Sequence, residues 1–285
     1  MKYGSIRYAS ADGRLDLFAR DYGGAGTPLL LMHGLTRNSA DFEPLARHLA
    51  SGYRLIVPDQ RGRGMSPDDS DPANYRLDVY AADMFALLKT IGLESCGVIG
   101  TSMGGLIALA MNAQKPGYFP AMVLNDIGPV LSPDGLDRIA GYVGGGGAMI
   151  GWDEAARHCA AVNGAAFPDL DDADWLAWAQ RTCREAANGT VRLAYDPAIA
   201  QAFTRPDDVT EAESWRMWEA LGSTPVLVLR GALSDLLSMD TVREMERRHD
   251  GPFEHVEVPG RGHAPLLDEP VAVSAIAQFL RENLD

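Results

Sequence analysis

Short runs of Val, Ile and Leu recur along the chain, separated by stretches that repeat at helical spacing. The runs are Pro28 to Met32, Tyr53 to Val57, Gly97 to Ile99, Met122 to Leu124, Pro225 to Leu229 and Phe253 to Val258. Apolar runs this short, bounded by turn residues, read as strands buried on both faces. Between them, Asn74 to Ile91 places Leu77, Tyr80, Ala81, Met84, Leu87 and Leu88 three and four apart and stops at Gly92. Met103 to Gln114 is small and apolar all round, as expected of a helix buried under a sheet, and is halted by Pro116. Val271 to Leu284 follows Pro270, a favoured first-turn residue, and predicts a final helix. Strands alternating with helices require a mostly parallel sheet with helices on both faces, the α/β class. Before this core, Tyr3 to Ala9 and Leu15 to Asp21 flank Ala11-Asp12-Gly13 and predict an antiparallel hairpin at the sheet edge, for eight strands in all.

One segment breaks the alternation. From Leu131 to Thr210 the chain opens with Ser132-Pro133-Asp134-Gly135, contains Gly144 to Gly147, and then reads as helices only, Trp152 to Val162 and Asp172 to Ala187. A helical insert between two strands of a parallel sheet predicts a cap over residues 131–210, on a core of residues 1–130 and 211–285. Thr210 with Glu213 three residues on forms a capping box and starts the next core helix.

The 285 residues carry a net charge of −14, a surface that repels nucleic acid and anionic lipid. No apolar run approaches the ~18 residues of a membrane span, and Met1 to Asp21 is too charged for a secretory signal. Cys96, Cys159 and Cys183 form no C-x-x-C pair, so free thiols and a cytoplasmic setting are expected. No phosphate loop, dinucleotide fingerprint or metal-ligand cluster is present, so neither cofactor nor metal is expected, and the partner is a small-molecule substrate.

Gly100-Thr101-Ser102-Met103-Gly104 is a G-x-S-x-G between a predicted strand and a predicted helix. Such a strand–turn–helix exposes the serine hydroxyl at a strained apex, and the glycines permit the tight approach. A serine needs a base. His263, in Gly260-Arg261-Gly262-His263-Ala264-Pro265 after the last strand, opens on the same rim as Ser102. His48, His158, His249 and His255 read as surface or packing histidines. Asp235, after the strand Pro225 to Leu229, is the preferred third member that orients the imidazole; Asp126, after Met122 to Leu124, is the alternative on the same rim. Backbone amides of Met103 and of Leu35, in His33-Gly34-Leu35-Thr36, are the expected oxyanion donors.

These residues resemble the α/β-hydrolase superfamily, specifically its cap-bearing serine hydrolases. The order Ser, Asp, His matches that family. So do His33-Gly34, the turn Asp59-Gln60-Arg61-Gly62-Arg63-Gly64-Met65-Ser66 (structural in such proteins), Leu124-Asn125-Asp126-Ile127-Gly128-Pro129 and Gly262-His263. The resemblance covers nearly the whole chain and implies an eight-stranded α/β-hydrolase sheet with a helical cap. Dehalogenases and epoxide hydrolases of that family carry aspartate where Ser102 stands. Carbon–carbon bond hydrolases carry His-Gly-x-Gly-Pro-Gly where this chain has His33-Gly34-Leu35-Thr36-Arg37-Asn38, and perhydrolases often place proline in that loop. What remains is hydrolysis of a carboxylic ester or lactone through an acyl-enzyme. Amide or carbon–carbon bond hydrolysis, or ligand binding with vestigial hydrolysis, are the alternatives. Trp152, Trp175 and Trp178 in the insert are candidates to line a small to medium, partly hydrophobic substrate site, or else to pack the cap's own core.

Overall fold

Alternating side chains of the central strands divide the molecule into two apolar layers, and this division makes the sheet. The computed structural model describes residues 1–203 and 210–284. The hairpin forms as expected, with β1 (Gly4–Ala9) antiparallel to β2 (Asp16–Asp21). There follow β3 (Pro28–Met32), α1 (Glu43–Leu49), β4 (Arg54–Asp59), α2 (Leu77–Thr90), β5 (Gly97–Thr101), α3 (Met103–Gln114) and β6 (Met122–Asn125). The insert holds α4 (Pro133–Tyr142), β7 (Met149–Ile150), α5 (Gly151–Asn163), α6 (Asp172–Thr182), β8 (Cys183–Glu185), β9 (Thr190–Leu193) and α7 (Ile199–Phe203). The chain ends with α8 (Glu211–Glu219), β10 (Val226–Gly231), α9 (Met239–Arg248), β11 (Phe253–Val258) and α10 (Pro270–Leu284).

The sheet runs β1-β2-β4-β3-β5-β6-β10-β11, antiparallel only where β2 meets β1 and β4. Leu30, Met32, Val98, Leu124 and Val228 face α2 and α3. Leu29, Leu31, Ile99, Val123 and Leu227 face α1 and α10 on the other side. Each such side chain, withdrawn wholly from water, contributes on the order of 2 kcal/mol, so the two layers pin the register. Met32 pairs with Gly100, and Thr101 and Leu229 both pair with Asn125, so the carboxyl ends of β3, β5, β6 and β10 share one rim. The chain leaves β3 outward to β4 and then crosses to β5, which makes the end of β3 and β5 a topological switch point, where such sheets open a crevice.

The insert is not purely helical. β7, β9 and β8 form a small antiparallel sheet, and the helix expected over Asp172 to Ala187 ends at Thr182. Asn188-Gly189 explains the difference. Gly189 adopts a φ of +78°, and the Ala186 and Thr190 backbones close the turn at 2.8 Å, so a hairpin replaces the last helical turn. The insert has an apolar cluster of its own, centred on Phe167, Trp175 and Trp178. Residues 204–209, the end of the segment expected as the cap, lie outside the described residues.

Candidate active site

Ser102 sits between β5 and α3 at φ +52°, ψ −119°, a conformation costing of order 1–3 kcal/mol for a residue with a Cβ. The neighbouring glycines allow it. A Cβ at Gly104 would stand 2.0 Å from the Met32 carbonyl oxygen, and one at Gly100 would stand 2.5 Å from the Gly105 nitrogen. Strand, elbow and helix therefore pack backbone against backbone.

His263 lies in the loop between β11 and α10, its side chain 6% exposed. Its Nε2 is 2.8 Å from Ser102 Oγ, and its Nδ1 is 2.8 Å from Asp126 Oδ2. A carboxylate can only accept, so Nδ1 carries the proton and Nε2 is left to accept from the serine hydroxyl. The loop is anchored on both sides. Asn125 Nδ2 donates to the Pro265 carbonyl at 2.8 Å and to Thr101 Oγ1 at 3.1 Å, and Glu269 accepts from Leu266 N, Leu267 N and Arg261 Nε.

The carboxylate in contact with the imidazole is Asp126, not the preferred Asp235. Asp126 is fully buried at the end of β6, turned by a φ of +55°, and accepts from Gly231 N at 2.8 Å and Ser234 Oγ at 2.6 Å besides the imidazole. Asp235 stands in the expected loop after β10, but both its oxygens are taken by Arg138 of α4, at 2.5 and 2.8 Å. That guanidinium holds the Asp235 carboxyl below the usual carboxylate range. Arg138 lies 97 residues away in sequence, so nothing local signalled the pairing.

The amides expected as oxyanion donors are those of Met103 and Leu35. The Met103 amide is the first of α3 and has no intrahelical acceptor. A Cβ at Gly34 would lie 3.7 Å from Ser102 Cβ, which sets the His33–Thr36 loop against the serine. Arg63 Nε donates to the Leu35 carbonyl at 3.0 Å, so the Asp59 to Ser66 turn braces this loop from behind. His33 Nδ1 donates to the Gly34 carbonyl at 2.7 Å while Nε2 accepts from Gln60 N at 3.1 Å; burial pushes this imidazole down, and both nitrogens are spent on structure.

A cavity of about 850 Å³ opens over Ser102. Of the three tryptophans proposed for it, only Trp178 reaches it, with the Arg37 guanidinium 4.0 Å above its ring. Trp175 packs inside the insert's own cluster, and Trp152 lies half-buried with its Nε1 toward Glu185. Sequence reasoning missed Tyr142, His158, Arg181 and Tyr195, which also line the cavity. Their helical or hairpin neighbours gave no sign of which face would turn inward. Among the described residues, no helix is long and apolar enough to cross a membrane.

The chain matches the α/β hydrolase fold family over residues 27–270 and belongs to it. It is 32% identical to a 3-hydroxybutyrate-oligomer hydrolase of Cupriavidus necator, over 98% of this chain and 97% of that one. It is 29% identical to a 2-(acetamidomethylene)succinate hydrolase of Mesorhizobium japonicum, over 94% and 92%. A crystal structure of an α/β hydrolase from Novosphingobium aromaticivorans superposes with a TM-score of 0.91 at 41% identity, over 98% of both chains. The protein is an enzyme of this family, a hydrolase.

Proposed function

We propose that this hydrolase cleaves a carboxylic ester or lactone of a small to medium, partly hydrophobic substrate, with Ser102 as nucleophile, His263 as base and Asp126 as its orienting carboxylate. One observation carries the reading: the Ser102–His263–Asp126 relay, with both contacts at 2.8 Å. His263 Nε2 takes the Ser102 proton as Oγ attacks the acyl carbon, and the Leu35 and Met103 amides hold the oxyanion. The imidazolium, stabilised by Asp126, gives that proton to the departing alcohol. Water then enters, surrenders a proton to His263, and releases the acid from Ser102.

Residues 131–210 act as the cap in this reading, and 1–130 with 211–285 as the catalytic core. Two facts support the seam. Trp218 and Trp215 of α8 join the apolar layer against α3, whereas Trp175 and Trp178 belong to the insert's cluster. The Cupriavidus relative, named for an oligomer of a hydroxy acid, supports an ester substrate. Amide cleavage is the second reading, favoured by the relative whose named substrate carries an acetamido group.

Ser102→Ala should lower turnover of p-nitrophenyl esters by ~10⁴ or more and abolish labelling by a fluorophosphonate. Wild-type turnover in that variant would refute the reading. A p-nitrophenyl ester run beside the anilide of the same acid separates ester from amide cleavage.

A further inference from the structure

The cavity over Ser102 contains three arginines in different electrostatic situations. Arg37 is closed onto Asp41, with contacts of 2.5 and 2.8 Å, and Arg76 is closed onto Asp78 at 2.6 and 2.9 Å. Arg181, in the last turn of α6, has no such partner. Among the described residues no carboxylate comes within 4.0 Å of its guanidinium, and no side-chain hydrogen bond engages it. Asp41, Asp268 and Glu43 attract it only at longer range, while Arg37 repels it; burial, the largest influence, pulls its pKa below the usual arginine value. Burial meanwhile pushes the nearby Asp268 carboxyl above its ordinary value.

Arg181 is also held in position. Asn38, 5% exposed and part of the loop that carries Leu35, donates from Nδ2 to the Arg181 carbonyl at 2.9 Å. The end of α6 is thereby tied to the loop that carries Leu35. A half-buried cation with no carboxylate in contact gains when an anion arrives, and a guanidinium presents a planar fork matched to a carboxylate. On a chain of net charge −14, an anionic substrate needs such a local attraction to enter.

We propose that Arg181 is a specificity residue that binds a free carboxylate on the substrate, so that the ester cleaved at Ser102 belongs to a molecule whose alcohol portion bears an ionised carboxyl group. The proposal rests on the ester-hydrolase reading and names its substrate class. It requires no further group: the carboxylate is bound unchanged while the ester bond breaks as described above.

The test compares 3-(butanoyloxy)butanoate with the same ester carrying a primary carboxamide in place of the carboxylate. The ratio of kcat/KM for acid over carboxamide should be roughly 10- to 100-fold in the wild-type enzyme, the range expected for a charge-assisted hydrogen-bonded pair, and should reside in KM. Arg181→Gln should bring the ratio near one, and Arg181→Lys should recover part of it. A wild-type ratio near one, or a ratio unchanged in Arg181→Gln, overturns the proposal. The wild-type ratio needs no variant to fold. Ser102-dependent hydrolysis of both compounds at equal rates would sink only the role of Arg181; hydrolysis that survives Ser102→Ala would sink the ester reading itself.

Discussion

Asp126 and Asp235 differ in what already occupies their oxygens. Asp126 is buried among backbone and hydroxyl donors with room for one imidazole, whereas Asp235 is neutralised bidentately by Arg138. Asp126→Asn removes the acceptor that holds Nδ1–H and presents the wrong tautomer to Ser102, so kcat on a p-nitrophenyl ester should fall by ~10⁴. Asp235→Asn should cost less than about tenfold in the same assay, because no hydrogen bond joins Asp235 to His263. Equal losses in the two variants would show that the imidazole changes partners during the reaction.

The elbow depends on three elements touching without side chains between them. Gly104→Ala would drive a Cβ to 2.0 Å from the Met32 carbonyl, where β3 backbone has no room to retreat. Overpacking of this kind typically costs 1–3 kcal/mol and here should reach about 3 or more, read as a lower urea midpoint with turnover lost alongside. The cap hairpin offers a contrast. Gly189→Ala puts a Cβ into open space, but at a φ of +78° the strain is intrinsic to the backbone. Destabilisation of about 1 kcal/mol is expected, with Ser102 still reactive toward a fluorophosphonate.

Across the molecule, one buried cluster joins the hairpin edge to the main layers. Arg61, wholly buried, binds Asp83 of α2 through two contacts of 2.8 Å, Asp69 at 2.6 Å and Asp12 of the hairpin turn at 3.3 Å. Burial works to raise the Asp69 carboxyl, but the Asp71 amide and the Arg61 guanidinium outweigh it and hold it below its ordinary value. Asp12 is depressed likewise. A carboxyl whose pKa is lowered on folding stabilises the native state above its unfolded pKa of about 3.9 and loses that contribution as pH falls through the folded value. The urea midpoint should therefore drop steeply below about pH 4, and Asp69→Asn should flatten that slope while lowering stability at neutral pH. Arg61→Met, which strands buried carboxylates, should cost about 3–5 kcal/mol.

Near neighbours in the chain were enough to specify the eight strands, the helices α2, α3 and α10, the elbow at Ser102 and the loop that carries His263. Apolar period, glycine placement and turn chemistry act within a few residues, and a reader of the linear order sees those directly. The hairpin in the insert was legible too, in Asn188-Gly189, but the helical pattern before it hid the signal. Other features came from the packed molecule alone: Arg138 capturing Asp235, Trp178 rather than Trp152 or Trp175 facing the cavity, and Arg181 having, among the described residues, no carboxylate in contact. Each depends on which distant groups become neighbours, and charge pairing and burial are properties of that neighbourhood rather than of the residue that carries the charge.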